Sequence, residues 1–177
     1  MTPLRAGLMA AVLSGLTAAA PALAQDLTAY EQAEQALIAV WDQMPLNFRT
    51  ATFVSGEAEG YGLFTERETA VFAPNEPIVV YAEPMGYGWQ VNDDGTYSFG
   101  LVVDIVLRDG AGAVVGSQEN FQRYTVTSRA QNREFFITLT LNLTGAPAGD
   151  YSVEYIVHDI ASAEQATIAL PFSIAAQ

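Results

Sequence analysis

The chain has 177 residues, with 20 acidic against seven basic side chains, and a net charge of −13. Such an acidic surface repels phosphate backbones and anionic lipid headgroups, which argues against a nucleic-acid-binding protein. Because the chain contains no cysteine, disulfides and thiolate metal sites are excluded.

Residues 1–24 have the pattern of a secretory signal peptide. Arg5 precedes an apolar run over 6–20, and Ala22-Leu23-Ala24 form a small-x-small cleavage site. The run is too short for a typical transmembrane helix, although an uncleaved anchor is the alternative. We therefore expect an exported protein, periplasmic or secreted, with no membrane span after cleavage.

Residues 25–45 are predicted to form a short N-terminal helix. Thr28 and Glu31 match a capping box, and Pro45 ends the helical pattern. We expect the apolar stripe of this helix to dock on the domain that follows; the alternative is a spacer or a partner-binding helix. The stripe consists of Leu27, Tyr30, Leu37, Trp41 and Met44.

From residue 46 to residue 177 the apolar pattern changes to period two, which predicts a β domain. Seven or eight short strands with no helix between them are typical of two packed antiparallel sheets, an all-β fold. Pro171 lacks an amide donor, so its strand should lie at a sheet edge or turn this residue away from pairing. Segments with a strand-like pattern, from which the seven or eight strands are expected, cover 46–54, one or two stretches within 61–72, 78–83, 99–107, 113–116, 121–127, 135–143, 151–157 and 166–174.

The stretch 147–159 carries the most specific fold signal. A Pro/Gly/Asp turn leads into a strand that opens with Tyr151 and whose alternate residues share one face. This resembles the tyrosine corner of immunoglobulin-like or fibronectin type III-like sandwiches, and the resemblance covers the chain from residue 46 onward. It implies a structural role for Tyr151, whose hydroxyl should bond backbone in the preceding connection. It implies no activity.

The segment 84–97 is the most unusual stretch that resembles a surface loop. It combines glycines, three aromatic residues and an acidic turn, which is typical of a ligand-binding loop. A hairpin that turns at 92–95, with its aromatics in the core or paired across strands, is favoured over such a loop, because alternation accounts for every residue. The calcium-loop spacing is absent, so no metal site is predicted. The candidate ligand-binding residues are Tyr87, Trp89, Asp93, Asp94 and Tyr97.

No catalytic motif is recognisable, and no cofactor is expected. His158 is the only histidine, and no nucleophile elbow accompanies it. A hydrolase would require His158 or paired acidic residues to converge in a pocket. We therefore predict a protein that is not an enzyme and name no catalytic residue.

The sequence favours an exported β-sandwich that binds a protein or a cell-envelope component, with edge strands available for pairing. The alternative is a carbohydrate-binding module that uses the aromatics of 84–97. The first hypothesis requires an exposed edge or apolar patch, and the second requires coplanar, exposed aromatic rings.

Overall fold

The structure, a computed structural model, describes residues 22–176, with side chains from residue 27 onward. Most of the predicted signal peptide, residues 1–21, lies outside this range. The chain divides into two units, one that ends at Leu37 and one that begins at Ile38, and each is described by itself.

The N-terminal helix, α1, comprises Ala22–Trp41. It begins before Thr28, so the capping-box prediction is wrong and Thr28 lies inside the helix. In the first unit the side chains of Leu27 and Tyr30 are exposed. In the second unit Trp41 is buried, and its indole N–H donates to the Tyr87 carbonyl at 2.9 Å. No described helix is long and apolar enough to cross a membrane.

The rest of the second unit is a sandwich of two sheets, as the period-two pattern predicts, with three strands in one sheet and six in the other. The small sheet has the order β1-β3-β7 and is antiparallel throughout. Its strands are β1 (Asn47–Val54), β3 (Ile78–Met85) and β7 (Ile137–Leu141).

The large sheet has the order β2-β9-β8-β5, with β6 on the far side of β5 and β4 paired to the start of β5. Only β2 runs parallel to its neighbour, β9. The strands are β2 (Val71–Phe72), β4 (Gln90–Val91), β5 (Tyr97–Asp109), β6 (Val114–Ser128), β8 (Gly149–Asp159) and β9 (Gln165–Ile174).

Strand β6 differs from the prediction of two strands at 113–116 and 121–127. Those segments form one strand with two irregularities: Val115 has no partner on β5, and 119–121 form a bulge that opposes the single residue Asp104. Asn120 takes the left-handed conformation there, with φ 51°. A bulge lets strand pairing resume on its far side but interrupts the alternation of apolar and polar residues. The sequence pattern therefore predicted two strands where the structure has one.

The main core lies between the sheets, where the alternating residues of the strands meet. On β8 the buried set is Val153, Tyr155 and Val157, and on β5 it includes Phe99, Leu101 and Val103. On β9, Ile168, Phe172 and Ile174 are buried as predicted, while Leu170 is half-buried.

Pro171 also lies where the sequence predicts. The short strand β2 pairs with β9 only at Ser173 and Ile174. Among the described residues no other strand borders β9 beside Pro171 on that side. The missing amide donor therefore breaks no pairing there.

A second, smaller core covers the outer face of the small sheet. The ring of Tyr81 stacks on Phe64 at 4.2 Å, and its hydroxyl donates to the buried Glu83 carboxylate at 2.7 Å. The same hydroxyl accepts the Gly62 amide at 2.8 Å. Burial is the largest cause that raises the pKa of Tyr81 to about 12. These contacts fasten the 55–70 connection to the sheet.

Candidate functional site

The aromatic segment 84–97 does not form a single exposed platform. Tyr87 is fully buried: its ring stacks on Phe99 at a centroid distance of 4.3 Å, and its hydroxyl donates to the Asn132 carbonyl at 2.7 Å. Burial raises the pKa of Tyr87 above its ordinary value. Neither face of this ring is available to a ligand, so Tyr87 contributes to the core.

Trp89 and Tyr97, by contrast, are half-buried. Trp89 packs edge-on against Phe99 at 4.8 Å and lines a cleft of about 540 Å³, the tryptophan cleft. Tyr97 does not line it. The lining also includes Trp41, Gln43, Gln131, Ser162 and Glu164.

The tryptophan cleft owes part of its shape to Asp159, which the sequence did not single out. Its buried carboxylate accepts the Gly88 amide at 2.7 Å and the Ser162 hydroxyl at 2.6 Å. It also accepts the Ala161 amide at 2.9 Å. One carboxylate thus joins the loop before β4 to the loop after β8. The only sequence signal is an Asp at a strand end before a short polar turn.

Asp93 and Asp94 occupy a hairpin turn between β4 and β5. Asp94 accepts the backbone N–H of Thr96 at 3.0 Å and its hydroxyl at 2.6 Å, and these bonds lower the pKa of Asp94. The Gly95 amide donates to the Asn92 carbonyl at 2.9 Å. Asp93 is exposed. The hairpin interpretation therefore accounts for this turn. The five candidate ligand-binding residues of 84–97 do not form one site, since Tyr87 is in the core, Trp89 lines the tryptophan cleft and the two aspartates lie in the turn.

His158 lies on the outer face of the large sheet, beside an acidic residue. Its Nε2 is 2.9 Å from Asp104 Oδ2, and the other Asp104 oxygen accepts the Asn120 amide at 2.8 Å. The hydrogen bond from the Asn120 amide is the largest cause that lowers the pKa of Asp104 below its usual range, and the contact with His158 lowers it further. Neither side chain lines the tryptophan cleft. Within 22–176 no group of three or more His, Asp or Glu is placed to hold a metal ion.

Strand β6 presents the longest free edge among the described residues. It extends over 15 residues, and only β5 pairs with it. Most of its side chains are exposed, and Val114 and Val115 are each 53% exposed. A strand edge carries unpaired N–H and C=O groups that bind another extended chain.

The other sheet edges are partly covered. On β7 the Thr138 carbonyl accepts the Tyr124 hydroxyl at 2.7 Å, a bond that links the two sheets. On β1 the Phe53 carbonyl accepts the Arg67 amide at 2.9 Å. On β9 the last residues pair with β2. Strand β6 has no comparable cover in the part of the chain that the structure describes.

An apolar cleft of about 540 Å³ adjoins the first part of β6, and we name it the edge cleft. Tyr151 forms part of its wall: its ring stacks on Phe172 at 5.6 Å, and its hydroxyl donates to the Pro147 carbonyl at 2.9 Å. This is the backbone bond that the sequence predicts for Tyr151. The edge cleft is lined by Leu107, Val115, Leu143, Ala146, Pro147 and Tyr151, with Asp109, Asn142 and Thr144 at its polar parts.

The sequence did not predict the edge cleft, because its walls come from two regions far apart in the chain, 107–115 and 142–151. The one local signal is the pair Val114-Val115, since two adjacent valines in an edge strand cannot both face the core. Comparison with models of known protein families found no match, and comparison with curated protein sequences found none either.

Proposed function

We propose that this protein is an exported, non-enzymatic, immunoglobulin-like β-sandwich that binds a protein or cell-envelope component by strand pairing along β6. The observation that carries the proposal is the 15-residue edge, on which no described strand pairs opposite β5. The signal-peptide pattern of residues 1–24 supports export.

Strand order and one hydrogen bond support the immunoglobulin-like topology. The order β9-β8-β5-β6 follows the G-F-C-C′ sheet of such domains, and β1-β3-β7 follows strands A, B and E of the opposing sheet. The bond from Tyr151 to Pro147 matches a tyrosine corner. The Cys and Trp pattern of antibody domains is absent from the sequence.

A protein partner suits β6 because backbone groups supply the attraction and tolerate many partner sequences. The run 122–128 after the bulge is rich in threonine and contains Tyr124 and Val126, residue types that favour strands. Its only charged side chain is Arg123. This part of the edge therefore lacks the dense charge with which many proteins protect edge strands.

Site-specific photo-crosslinking in the cell that produces the protein tests the proposal. A photoreactive amino acid replaces Thr125 or Thr127 on β6, and Thr167 on β9 serves as the matched exposed threonine of the same sheet. We expect a discrete protein or glycoconjugate adduct from the β6 positions and not from Thr167. Equal adducts at all three positions, or none at β6, would contradict edge binding.

Carbohydrate binding is a second candidate, favoured by the half-exposed Trp89 beside polar groups in the tryptophan cleft. Trp89 would supply a single stacking face, without Tyr87. Titration with a panel of oligosaccharides, followed by tryptophan fluorescence, tests it. A signal that is lost in Trp89→Phe and retained in Tyr97→Phe would support this function, and an unresponsive spectrum across the panel would reject it.

A further inference from the structure

The first part of β6 and the edge cleft form one continuous surface. Val115 belongs to the free edge and also lines the edge cleft. The bulge at 119–121 separates this run, Val114 to Gln118, from the remainder of the edge. The run has its own register shift at Val115, because Leu107 pairs with Gly116 and Arg108 with Val114, so Val115 has no partner on β5. An extended chain that pairs with the run would therefore bring a side chain next to the cleft at this irregular position.

The floor of the edge cleft is an incompletely covered end of the main core. Leu107, Leu143 and Ala146 pack against the core residues yet are only half-buried. The volume lies within the range of about 300–1,000 Å³ that is usual for ligand pockets. An apolar side chain inserted there would remove both its own surface and that of these residues from water, which is favourable.

The rim of the edge cleft is acidic. Asp109 lines it, and one of its carboxylate oxygens accepts the Ala111 amide at 3.0 Å and the Ala113 amide at 2.9 Å. Asp150 does not line the cleft but lies against Gly110 in the adjoining turn, where a Cβ on the glycine would be 3.3 Å from the Asp150 Cβ. Arg108, which is adjacent to Asp109 in the chain, forms an ion pair with Glu154, with Nε 2.9 Å from a carboxylate oxygen. A basic partner would neutralise this rim, whereas a second copy of a chain with net charge −13 would add further negative charge.

We infer that the edge cleft binds an apolar side chain of an extended, basic partner segment that pairs with β6 along Val114 to Gln118. This inference rests on the proposed function of β6 and specifies the chemistry of the partner. The backbone of β6 supplies the pairing, the cleft selects an apolar residue, and the aspartates select flanking lysine or arginine.

Fluorescence anisotropy with a labelled synthetic peptide tests the inference. The probe is about nine residues long, a usual strand length, and alternates leucine with threonine between terminal arginines. One control peptide replaces the leucines with asparagine, and the other replaces the arginines with aspartate. We expect binding of the first peptide and at least about tenfold weaker binding of each control.

Matched variants of the full chain locate the binding. Val115→Arg and Ala146→Trp obstruct the edge cleft. The control is Val91→Arg, the same substitution at a 73% exposed valine on β4 of the same sheet, which does not line the cleft. We expect about tenfold weaker peptide binding for the two cleft variants and unchanged binding for Val91→Arg. Circular dichroism melting verifies that each variant folds.

Three results would overturn the inference: no peptide binding up to about 1 mM, binding that Val115→Arg leaves unchanged, or a dimer in sedimentation that Val115→Arg dissociates. None of these three results would change the crosslink expected at Thr125, which lies beyond the bulge at 119–121. The Thr125 crosslink therefore tests the proposed function of the β6 edge separately. Conversely, an absent crosslink together with peptide binding at the cleft would reject the general edge function and leave the cleft as a local binding site.

Discussion

At the scale of single residues, β8 carries two tyrosines whose hydroxyl groups have opposite environments. The Tyr151 hydroxyl donates to the Pro147 carbonyl at 2.9 Å. The Tyr155 hydroxyl is buried and has no hydrogen-bond partner among the described residues, and burial is the main cause that raises its pKa. A satisfied hydroxyl stabilises a fold modestly, whereas an unsatisfied buried one costs free energy.

Replacing each tyrosine with phenylalanine should therefore have different effects on the free energy of unfolding. We expect Tyr151→Phe to lower it by about 1 kcal/mol, and Tyr155→Phe to leave it unchanged or raise it. Urea denaturation followed by circular dichroism measures both. A larger loss for Tyr155→Phe than for Tyr151→Phe would mean that the buried hydroxyl has a partner in solution.

Asp104 should make stability depend on pH in the acid range. Because its pKa is lowered in the folded state by the Asn120 amide and by His158, its contribution is present above the unfolded-state pKa of about 4. The contribution is lost as the pH falls through the lowered folded-state value. We expect Asp104→Asn to reduce the difference in denaturation midpoint between pH 6 and pH 3. The exposed Asp93→Asn is the control; an equal effect there would rule out a specific role for Asp104.

At the scale of elements, the turn after β3 packs closely against the segment that precedes β1. Gly86 has φ +74°, and a Cβ there would lie 2.5 Å from the Pro45 carbonyl oxygen and 2.8 Å from that of Met44. Both obstacles are backbone atoms, which cannot move aside as a side chain can. A glycine is therefore required for conformation and for space.

Gly86→Ala and Gly95→Ala separate these two requirements. Gly95 has nearly the same φ, +77°, but nothing lies within 4 Å of a Cβ placed on it. We expect Gly95→Ala to cost about 1 kcal/mol through backbone strain alone. Gly86→Ala should cost roughly 1–3 kcal/mol more through crowding. Thermal melting of the two variants measures the difference. Equal losses of stability would mean that the backbone at 44–45 moves away to accommodate the added Cβ.

At the scale of the whole molecule, the core belongs to the second unit. Every buried apolar residue among those described lies at or after Trp41. Trp41 contributes through its bond to Tyr87 and an edge contact between the rings at 5.1 Å. Stability should therefore depend on where the chain begins relative to this residue.

A chain that begins at Ile38 retains Trp41 and serves as the reference for a shorter chain. A chain that begins at Leu46 lacks Trp41, and we expect its free energy of unfolding to fall by about 3 kcal/mol, as for removal of a buried tryptophan. The variant Trp41→Ala is the control for the loss of this side chain alone. An unchanged midpoint for the Leu46 chain would show that Trp41 does not support the sandwich.

The sequence by itself determined the features that short-range pattern controls. Alternation of period two predicted two antiparallel sheets, because each strand must bury one face. The turn residues at 92–95 predicted a hairpin, and the resemblance of 147–159 to a tyrosine corner predicted the bond from Tyr151 to nearby backbone. In the two turns the interacting groups lie within a few residues of one another, so the local sequence contains both partners.

Only the tertiary structure decided which strand is an edge, which aromatic is buried and where a cleft opens. Tyr87 is buried by Phe99 and by Asn132, 45 residues away, and Asp104 meets His158 across 54 residues. Alternation specifies that a side chain faces inward, but not which strand lies opposite it. The free edge of β6 and the edge cleft result from the order of strands in the two sheets, and long-range pairing sets that order.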